Sequence, residues 1–333
     1  MGQVSGQMSL LGFDDKNNAQ LNALSREILC SSEIEGVELN ANSVRSSVAK
    51  RLGIEADGMV DTNNYVEGLV DIMMDAITNN NSPLSAQRLF NWHAALFPYG
   101  RSGIMKIDVA DWRKGEEPMQ VVSGAMGKEK VYYQAPPSEA VPAEMEQFFD
   151  WVNNSETDIV IKAAVAHFWF LTIHPFDDGN GRICRNITDM LLSQAETRNH
   201  RYFSMSAEIL REKKHYYEIL EATQKGNLDI TDWLLWFIQC LENALSRTQT
   251  AISRTLQKAA YWEQFRLIDI NERQRKVINR LWDGFDGKLT TSKWAKICHT
   301  SQDTALRDIK DLIEKGMLRI SPEGGRSTNY LLP

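Results

Sequence analysis

Twelve consecutive residues, His174 to Arg185, read HPFDDGNGRICR and bring together the groups that transfer chemistry on a phosphorylated substrate requires. Gly179, Asn180 and Gly181 open the helical pattern that follows, so backbone amides can approach an anion at a helix N-terminus, where aligned peptide dipoles favour phosphate. Arg182 and Arg185 lie three apart, on one face of that helix, and can grip further phosphate oxygens in bidentate fashion. At the other end, the imidazole of His174, with an ordinary pKa near ~6.5, can take a proton from an attacking hydroxyl at neutral pH. Asp178 offers a hard oxygen ligand of the kind that magnesium accepts in small number when phosphates supply the rest. Taken singly, a His before Pro and a glycine turn are structural features. Five functional residue types in a chemically sensible order within one segment point to a site. The segment is neither a GxxxxGK[ST] loop nor a GxGxxG fingerprint.

The elements that must position this loop read as helices. Apolar residues recur at steps of three and four, as in Leu21, Leu24 and Ile28 and in Leu69, Ile72, Met73 and Ile77. Helical patterning runs from Val141 to Val152 and from Asp158 to Ile173, breaks at the loop, and resumes from about Asn180 to Ala195. Ala207 to Gly226 and Asp229 to about Arg266 follow, the latter with Trp233, Trp236, Phe237 and Cys240 as a core stripe. One hairpin interrupts the helices at residues 119–133, where MQVVSG and KVYYQ flank a Gly124 to Gly127 turn before Pro136 and Pro137. His93 and His167 lie on apolar helical faces and read as core or loop-packing residues.

The loop resembles the Fic signature HPFx[DN]GNGRxxR and matches it at every defined position. The resemblance implies a mainly α fold, a Fic-type helical bundle with a small β-hairpin flap, whose activity is transfer of AMP from magnesium-ATP to a Ser, Thr or Tyr hydroxyl of a target protein. In that family pattern His174 is the general base and Asp178 the Mg2+ ligand, while Asn180 with the Gly179 and Gly181 amides holds the α-phosphate. Arg182 and Arg185 take the β- and γ-phosphates. Relatives that phosphorylate carry Lys at the position of Gly181. Phe176 is expected as a buried anchor of the loop. The hairpin 119–133 corresponds to the flap, on which a target segment, or the chain itself as acceptor, docks by strand addition. Tyr216 and Tyr217 fall where relatives contact adenine; adjacent tyrosines on a helix face different ways, and the sequence does not choose between them.

Upstream, SSEIEG fits the family's inhibitory pattern [ST]xxxE[GN] with Ser31, Glu35 and Gly36 at the end of a periodic helix, about 18–36. A Glu35 carboxylate paired with Arg185 would occupy the guanidinium that the γ-phosphate needs. In some relatives this Glu positions water for AMP removal, so a bifunctional AMPylase/deAMPylase is a second expectation.

Residues 271–333 carry 12 Lys or Arg against 8 Asp or Glu, while the whole chain has a net charge of -7. Three short helices, ending with one from Ser301 to Lys315 whose inward residues are Leu306, Ile309, Leu312 and Ile313, precede two strands around a glycine turn. That is the order of a winged helix. Lys293, Lys296, Arg307, Lys310, Arg319 and Arg326 could contact DNA phosphates, which makes a transcriptional regulator the rival reading, and winged helices also serve as dimerisation modules. The organisation expected is a helical region 1–95, a catalytic core 96–266 and the winged helix 271–333. Four dispersed cysteines argue against disulfides and zinc and fit a reducing cytosol, no run approaches the roughly 20 apolar residues of a membrane span, and a cytoplasmic protein without membrane partners is expected.

Overall fold

The computed structural model describes the chain apart from residues 1, 9–11, 56–57, 116–118, 124–129, 196–200 and 323–327. The expected turn at Gly124 to Gly127, the glycine turn after Pro322 and Arg326 lie outside the described residues. Two compact units divide at Gln249 and Thr250.

The first unit is built of helices. After α1 (Gly2–Met8), α2 (Phe13–Ile34) buries Leu21, Leu24 and Ile28 and stops at Glu35, followed by Gly36 at φ 77, a left-handed C-terminal stop that glycine adopts without strain. Asn40, Asn63 and Ser85 each cap the next helix by accepting a first-turn amide: α3 (Ala41–Leu52), α4 (Asn64–Thr78) and α5 (Ala86–Leu96). A Cβ at Gly68 would collide with the carbonyl of Ala95, so α4 and α5 approach closely only because that position is bare. Strands β1 (Arg101–Ser102) and β2 (Met105–Lys106) form a small hairpin that has no counterpart in the sequence reading. The expected hairpin is present as β3 (Gln120–Ser123) and β4 (Lys130–Gln134), antiparallel with a register shift between Val121 and Val122.

Helices α6 (Val141–Asn154) and α7 (Ile159–Ile173) lead to the loop, Asp158 capping α7, and α8 (Asn180–Gln194) leaves it. Both α7 and α8 are deeply buried, with Phe170, Ile173, Ile183, Ile187 and Leu192 in the core. The stretch read as one helix from Ala207 is two, α9 (Met205–Arg211) and α10 (Lys213–Gln224). The break is Glu212 at φ -110 and ψ 25, with no Gly or Pro to announce it. Helix α11 (Thr231–Gln264) buries Trp233, Trp236, Phe237 and Cys240 as expected.

The second unit, Thr250 to Pro333, has its own core around Tyr261, Val277, Trp294, Ile309, Met317 and Tyr330. Helices α12 (Glu272–Asp283), with a capping box of Asn271 and Gln274, α13 (Thr291–Cys298) and α14 (Gln302–Glu314) precede the antiparallel pair β5 (Arg319–Ile320) and β6 (Tyr330–Leu331). On α14 the inward set is Ala305, Ile309 and Leu312. Leu306, expected inward, is 37% exposed, because the buried stripe runs one residue earlier at that turn.

Candidate active site

The loop is held between two helix ends. His174 caps α7 at φ 51 and ψ 60, a left-handed conformation that costs a non-glycine residue about 1–2 kcal/mol and persists only where its surroundings dictate it. Gly179, at φ 84, opens α8; a Cβ there would stand 2.9 Å from Cε2 of Phe97. Phe176 is fully buried, with the His93 ring stacked 4.3 Å away and Phe90, Trp112 and Phe170 around it. His93 does more than pack. Its Nδ1 accepts from the Ala110 amide (3.2 Å), so Nε2 carries the hydrogen and donates to the Asp178 carbonyl (3.1 Å).

His174 presents one nitrogen to chemistry. Its Nδ1 lies 3.3 Å from the Leu171 carbonyl, which can only accept; Nδ1 therefore bears the proton and Nε2 keeps its lone pair. Burial pushes the imidazole pKa down to about 4, with Arg113 adding to the effect and Glu35 and Asp178 opposing it, so the ring is neutral at pH 7.

Helix geometry leaves the first amides of α8 without intrahelical acceptors. Beside them lies Glu35: a Cβ on Gly181 would clash with Glu35 Oε1. The same carboxylate oxygen accepts from Nη2 of Arg185 at 2.7 Å, while Ser31 takes Nε through its hydroxyl (2.8 Å) and Nη2 through its carbonyl (2.9 Å). Burial opposes the Arg185 charge, but Glu35 more than compensates and holds the guanidinium pKa above its ordinary value. Ser31 on α2 and Glu35 at its C-terminal cap thus meet Arg185 on α8, 154 and 150 residues away in sequence.

Arg182 points elsewhere. It donates to the Tyr65 hydroxyl (2.6 Å), lies 5.1 Å from the Phe97 ring centroid and comes within 3.5 Å of Asp178 Oδ1. The Asp178 carboxylate accepts from the Gly179 amide and the Ser102 hydroxyl and keeps 40% of its side-chain surface exposed. Magnesium commonly takes one or two carboxylates and completes its shell with phosphates and water, so this single exposed carboxylate fits it; no group of three acidic, His or Cys ligands exists among the described residues.

One expectation changes. The Asn180 side chain is 2% exposed and bridges the loop internally, its Oδ1 accepting from the Phe176 amide (3.0 Å) and its Nδ2 donating to the Phe176 carbonyl (2.7 Å). It therefore staples the loop, and only its backbone amide remains for a phosphate. Of the two tyrosines, Tyr216 is core: its hydroxyl donates to Nε2 of His167 (3.0 Å), whose Nδ1 donates to Thr188 (2.9 Å). Thr188 in turn donates to the Cys184 carbonyl, which fixes the tautomer, and burial holds His167 neutral with its pKa pushed down to about 3. Tyr217 is part-exposed, close enough to Glu35 and Arg185 for both charges to act on it, and its own pKa is pushed up to about 12 by burial first and Glu35 second. Sequence reasoning did not single out Arg113, Tyr65, Ser102 or Tyr133. Arg113 touches backbone groups of the loop, Tyr65 and Ser102 one side chain of it each, and Tyr133 the end of α7, and none forms a spaced motif.

A helical frame here presents a neutral imidazole and the first amides of a helix across one short loop. The Fic/DOC family model matches residues 83–192, and a domain of unknown function, DUF4172, matches residues 1–54. Residues 83–192 are thus similar to the Fic/DOC family. It is 24% identical over 237 residues to the protein adenylyltransferase Fic of Aedes aegypti, an alignment covering 68% of this chain and 42% of the relative. It is 28% identical over 103 residues to a probable protein adenylyltransferase of Aquifex aeolicus, covering 31% and 30%. The chain thus spans less than half the length of these relatives. Among solved structures, a Fic family protein from Desulfovibrio desulfuricans superposes with TM-score 0.56 at 18% identity, covering 100% of this chain and 93% of that one. A Fic-domain signalling protein from Bacteroides thetaiotaomicron gives 0.53 at 19%, covering 75% and 94%.

Proposed function

We propose that the chain is a protein adenylyltransferase that transfers AMP from Mg-ATP to a Ser, Thr or Tyr hydroxyl and holds itself in check through Glu35. The observation that carries this reading is the neutral His174 imidazole, with Nε2 unprotonated, set across a glycine-opened loop from the free N-terminal amides of α8. The substrate hydroxyl gives its proton to Nε2 as its oxygen bonds to the α-phosphorus; the bond from that phosphorus to the bridging oxygen breaks, and pyrophosphate leaves. The Gly181 and Arg182 amides lie where negative charge develops on the α-phosphate, and Arg185 takes the γ-phosphate. Asp178 would hold a magnesium ion, which when bound would supply neutralisation of phosphate charge. Tyr217 rather than Tyr216 contacts the adenine side. The target segment docks on β3 and β4, whose strand edge can pair with it.

In the resting form Glu35 occupies both positions the nucleotide needs, covering Gly181 and engaging Arg185. ATP must displace that carboxylate to bind productively. If the same carboxylate orients water, the reverse reaction, removal of AMP, becomes available to the same site. The test uses ATP labelled on the α-phosphate, with γ-labelled ATP as control, incubated with soluble lysate protein and the Glu35→Gly form. Label from the α position enters protein, the γ label does not, and His174→Ala abolishes transfer. Equal transfer of both labels, or none with Glu35→Gly, would remove the reading.

A second reading concerns the second unit, whose helix, helix, helix, strand-pair order supports a winged helix. Lys296, Arg307 and Lys310 are exposed there, whereas Lys293 donates to the Asp286 carbonyl and Arg319 to that of Leu332. DNA contact by residues 271–333 would then add to the transferase, and a dimer contact through the same unit is the alternative.

A further inference from the structure

We infer that Arg113 is a positioning residue that fixes the catalytic imidazole and ties it to the base of the β3–β4 hairpin. The inference rests on the transferase reading and names a residue that acts through His174 without touching substrate.

The argument begins from the end of α7. A helix leaves its last carbonyls without intrahelical donors, and burying them unpaired costs about 1–3 kcal/mol each. Here every one from Phe170 to Pro175 has a donor. The His174 amide takes Phe170 O (2.9 Å), the His174 ring takes Leu171 O, and the Tyr133 hydroxyl takes Thr172 O (3.1 Å). Arg113 takes the next three: Nη2 approaches Ile173 O (3.5 Å), Nε donates to His174 O (2.8 Å), and its backbone amide donates to Pro175 O (2.9 Å). Nη2 donates also to Pro136 O, two residues past the end of β4. One side chain, 4% exposed, therefore binds the backbone of the imidazole-bearing residue and the exit of the hairpin.

The chemistry suits arginine alone. A guanidinium carries five donors in a planar fork, so it can serve carbonyls from two segments at once, and a cation is favoured at the negative end of a helix. A lysine at the same place is a point charge without the fork. The strained φ of His174 is held at its carbonyl by Arg113, and in this conformation the ring Nδ1 reaches Leu171 O. Tyr133 adds a second tie from β4 to the same helix end. A target strand that pulls on the hairpin is thereby connected to the imidazole through two side chains.

Groups facing His174 are Arg113 from the segment before β3, Glu35 from α2 and Asp178 from the loop, Arg113 lowering its proton affinity and the two carboxylates raising it. Arg113 thus has an electrostatic mark that a purely structural residue would lack.

The experiment uses the full chain in the Glu35→Gly background and compares Arg113→Gln and Arg113→Lys. The readouts are α-labelled AMP transfer into lysate protein, ATP affinity by calorimetry, thermal unfolding, and the His174 ring titration by NMR, its resonance identified by loss in His174→Ala. Both variants are expected to lose about 100-fold in transfer rate, the penalty typical of a misplacement near 1 Å, while ATP affinity changes less than about twofold. Arg113→Gln raises the His174 titration midpoint, and Arg113→Lys raises it less. A folded Arg113→Gln that transfers at the parent rate, or whose His174 midpoint stays in place, would overturn the inference. If the Glu35→Gly parent transfers nothing but the midpoint moves as stated, the transferase reading fails and the positioning stands. Should Arg113→Gln fail to fold, Arg113→Lys keeps charge and stem and gives the same two readouts.

Discussion

Replacing Glu35 should change activity and stability in opposite directions, and by related amounts. In the resting structure Arg185 has three hydrogen bonds, two to Ser31 and one to Glu35 at 2.7 Å. Glu35→Gln removes the charge and keeps an acceptor; Glu35→Gly removes both. The Arg185 side chain is 3% exposed and that of Glu35 29%, so the pair lies between a solvent-screened bridge and a buried one. Exposed pairs are worth up to about 1 kcal/mol and breaking buried ones costs about 3–5, which puts Glu35→Gly near ~2 kcal/mol after screening. If ATP must displace this contact to bind productively, the same ~2 kcal/mol returns as a rise of about 30-fold in AMP transfer at subsaturating ATP. The fold loses what the nucleotide gains, and the unfolding midpoint should drop by about 4–8 °C for a unit of this size. Glu35→Gln should give about half of each effect, without the backbone freedom that glycine adds at a helix end. Transfer of α-labelled AMP and thermal unfolding, measured on one preparation, test the pairing. A rate that does not rise would refute the brake. A rate that rises with no loss of stability would refute its origin in the Arg185 contact.

Other substitutions examine the neighbouring contacts. Gly181→Ala puts a methyl in a clash with Glu35 Oε1, so it should destabilise the resting chain by about 1–2 kcal/mol through loss of that charged hydrogen bond, yet cost nothing further when Glu35 is already Gly; denaturant titration of the double-mutant cycle decides, and additivity would sink the idea. Glu27, buried on the α2 face that also carries Ser31 and Glu35, accepts from the Ser204 hydroxyl (2.6 Å) and the Ser206 amide (3.1 Å). Glu27→Ala should loosen that helix, raise basal transfer, and have no added effect on rate in the Glu35→Gly background. His174 is neutral in the fold down to about pH 4 but protonates near 6.5 when unfolded, so its share of stability is complete above about pH 6.5 and is lost as pH falls toward 4. His174→Ala should therefore flatten the stability profile between those limits by about 1.4 kcal/mol per pH unit relative to the parent, and parallel profiles would contradict the assignment. If residues 271–333 bind duplex DNA, retention should fall steeply between low and physiological salt; binding insensitive to salt, or absent at low salt, would leave that unit to protein contacts.

What could be read before the fold was known depended on whether a function lies in contiguous residues. The loop from His174 to Arg185 was legible because imidazole, carboxylate, glycines and guanidiniums follow one another on a single turn and helix start. Periodicity also located α7, α8 and the Trp233 face of α11, whose apolar residues recur at helical steps. It failed at Glu212, where a polar residue with unremarkable neighbours divides two helices, and at Leu306, where a three-residue step and a four-residue step are equally apolar. Neither Tyr216 nor Tyr217 could be preferred until His167 was seen to hold the hydroxyl of the first. The Asn180 amide was credited to a ligand because its bonds to Phe176 are made four residues back along the chain, by a side chain whose type suits either role.

The carbonyl end of α7 was illegible for a deeper reason. A donor that caps a backbone oxygen recognises no side chain, so Arg113 and Tyr133 are constrained by position and not by any partner's identity. The half of the loop from Asp178 to Arg185 is written in side chains and reads as a motif; the half that orients the His174 imidazole is written in the main chain and becomes visible only with coordinates. Apart from the His174 amide and ring, the donors to those carbonyls are Arg113 and Tyr133, and both arrive from the segment between β2 and α6, the same segment that carries the hairpin. On the transferase reading, aim of the base and presentation of the target would therefore be properties of one stretch of chain, and a substitution anywhere in it should be judged by its effect on both.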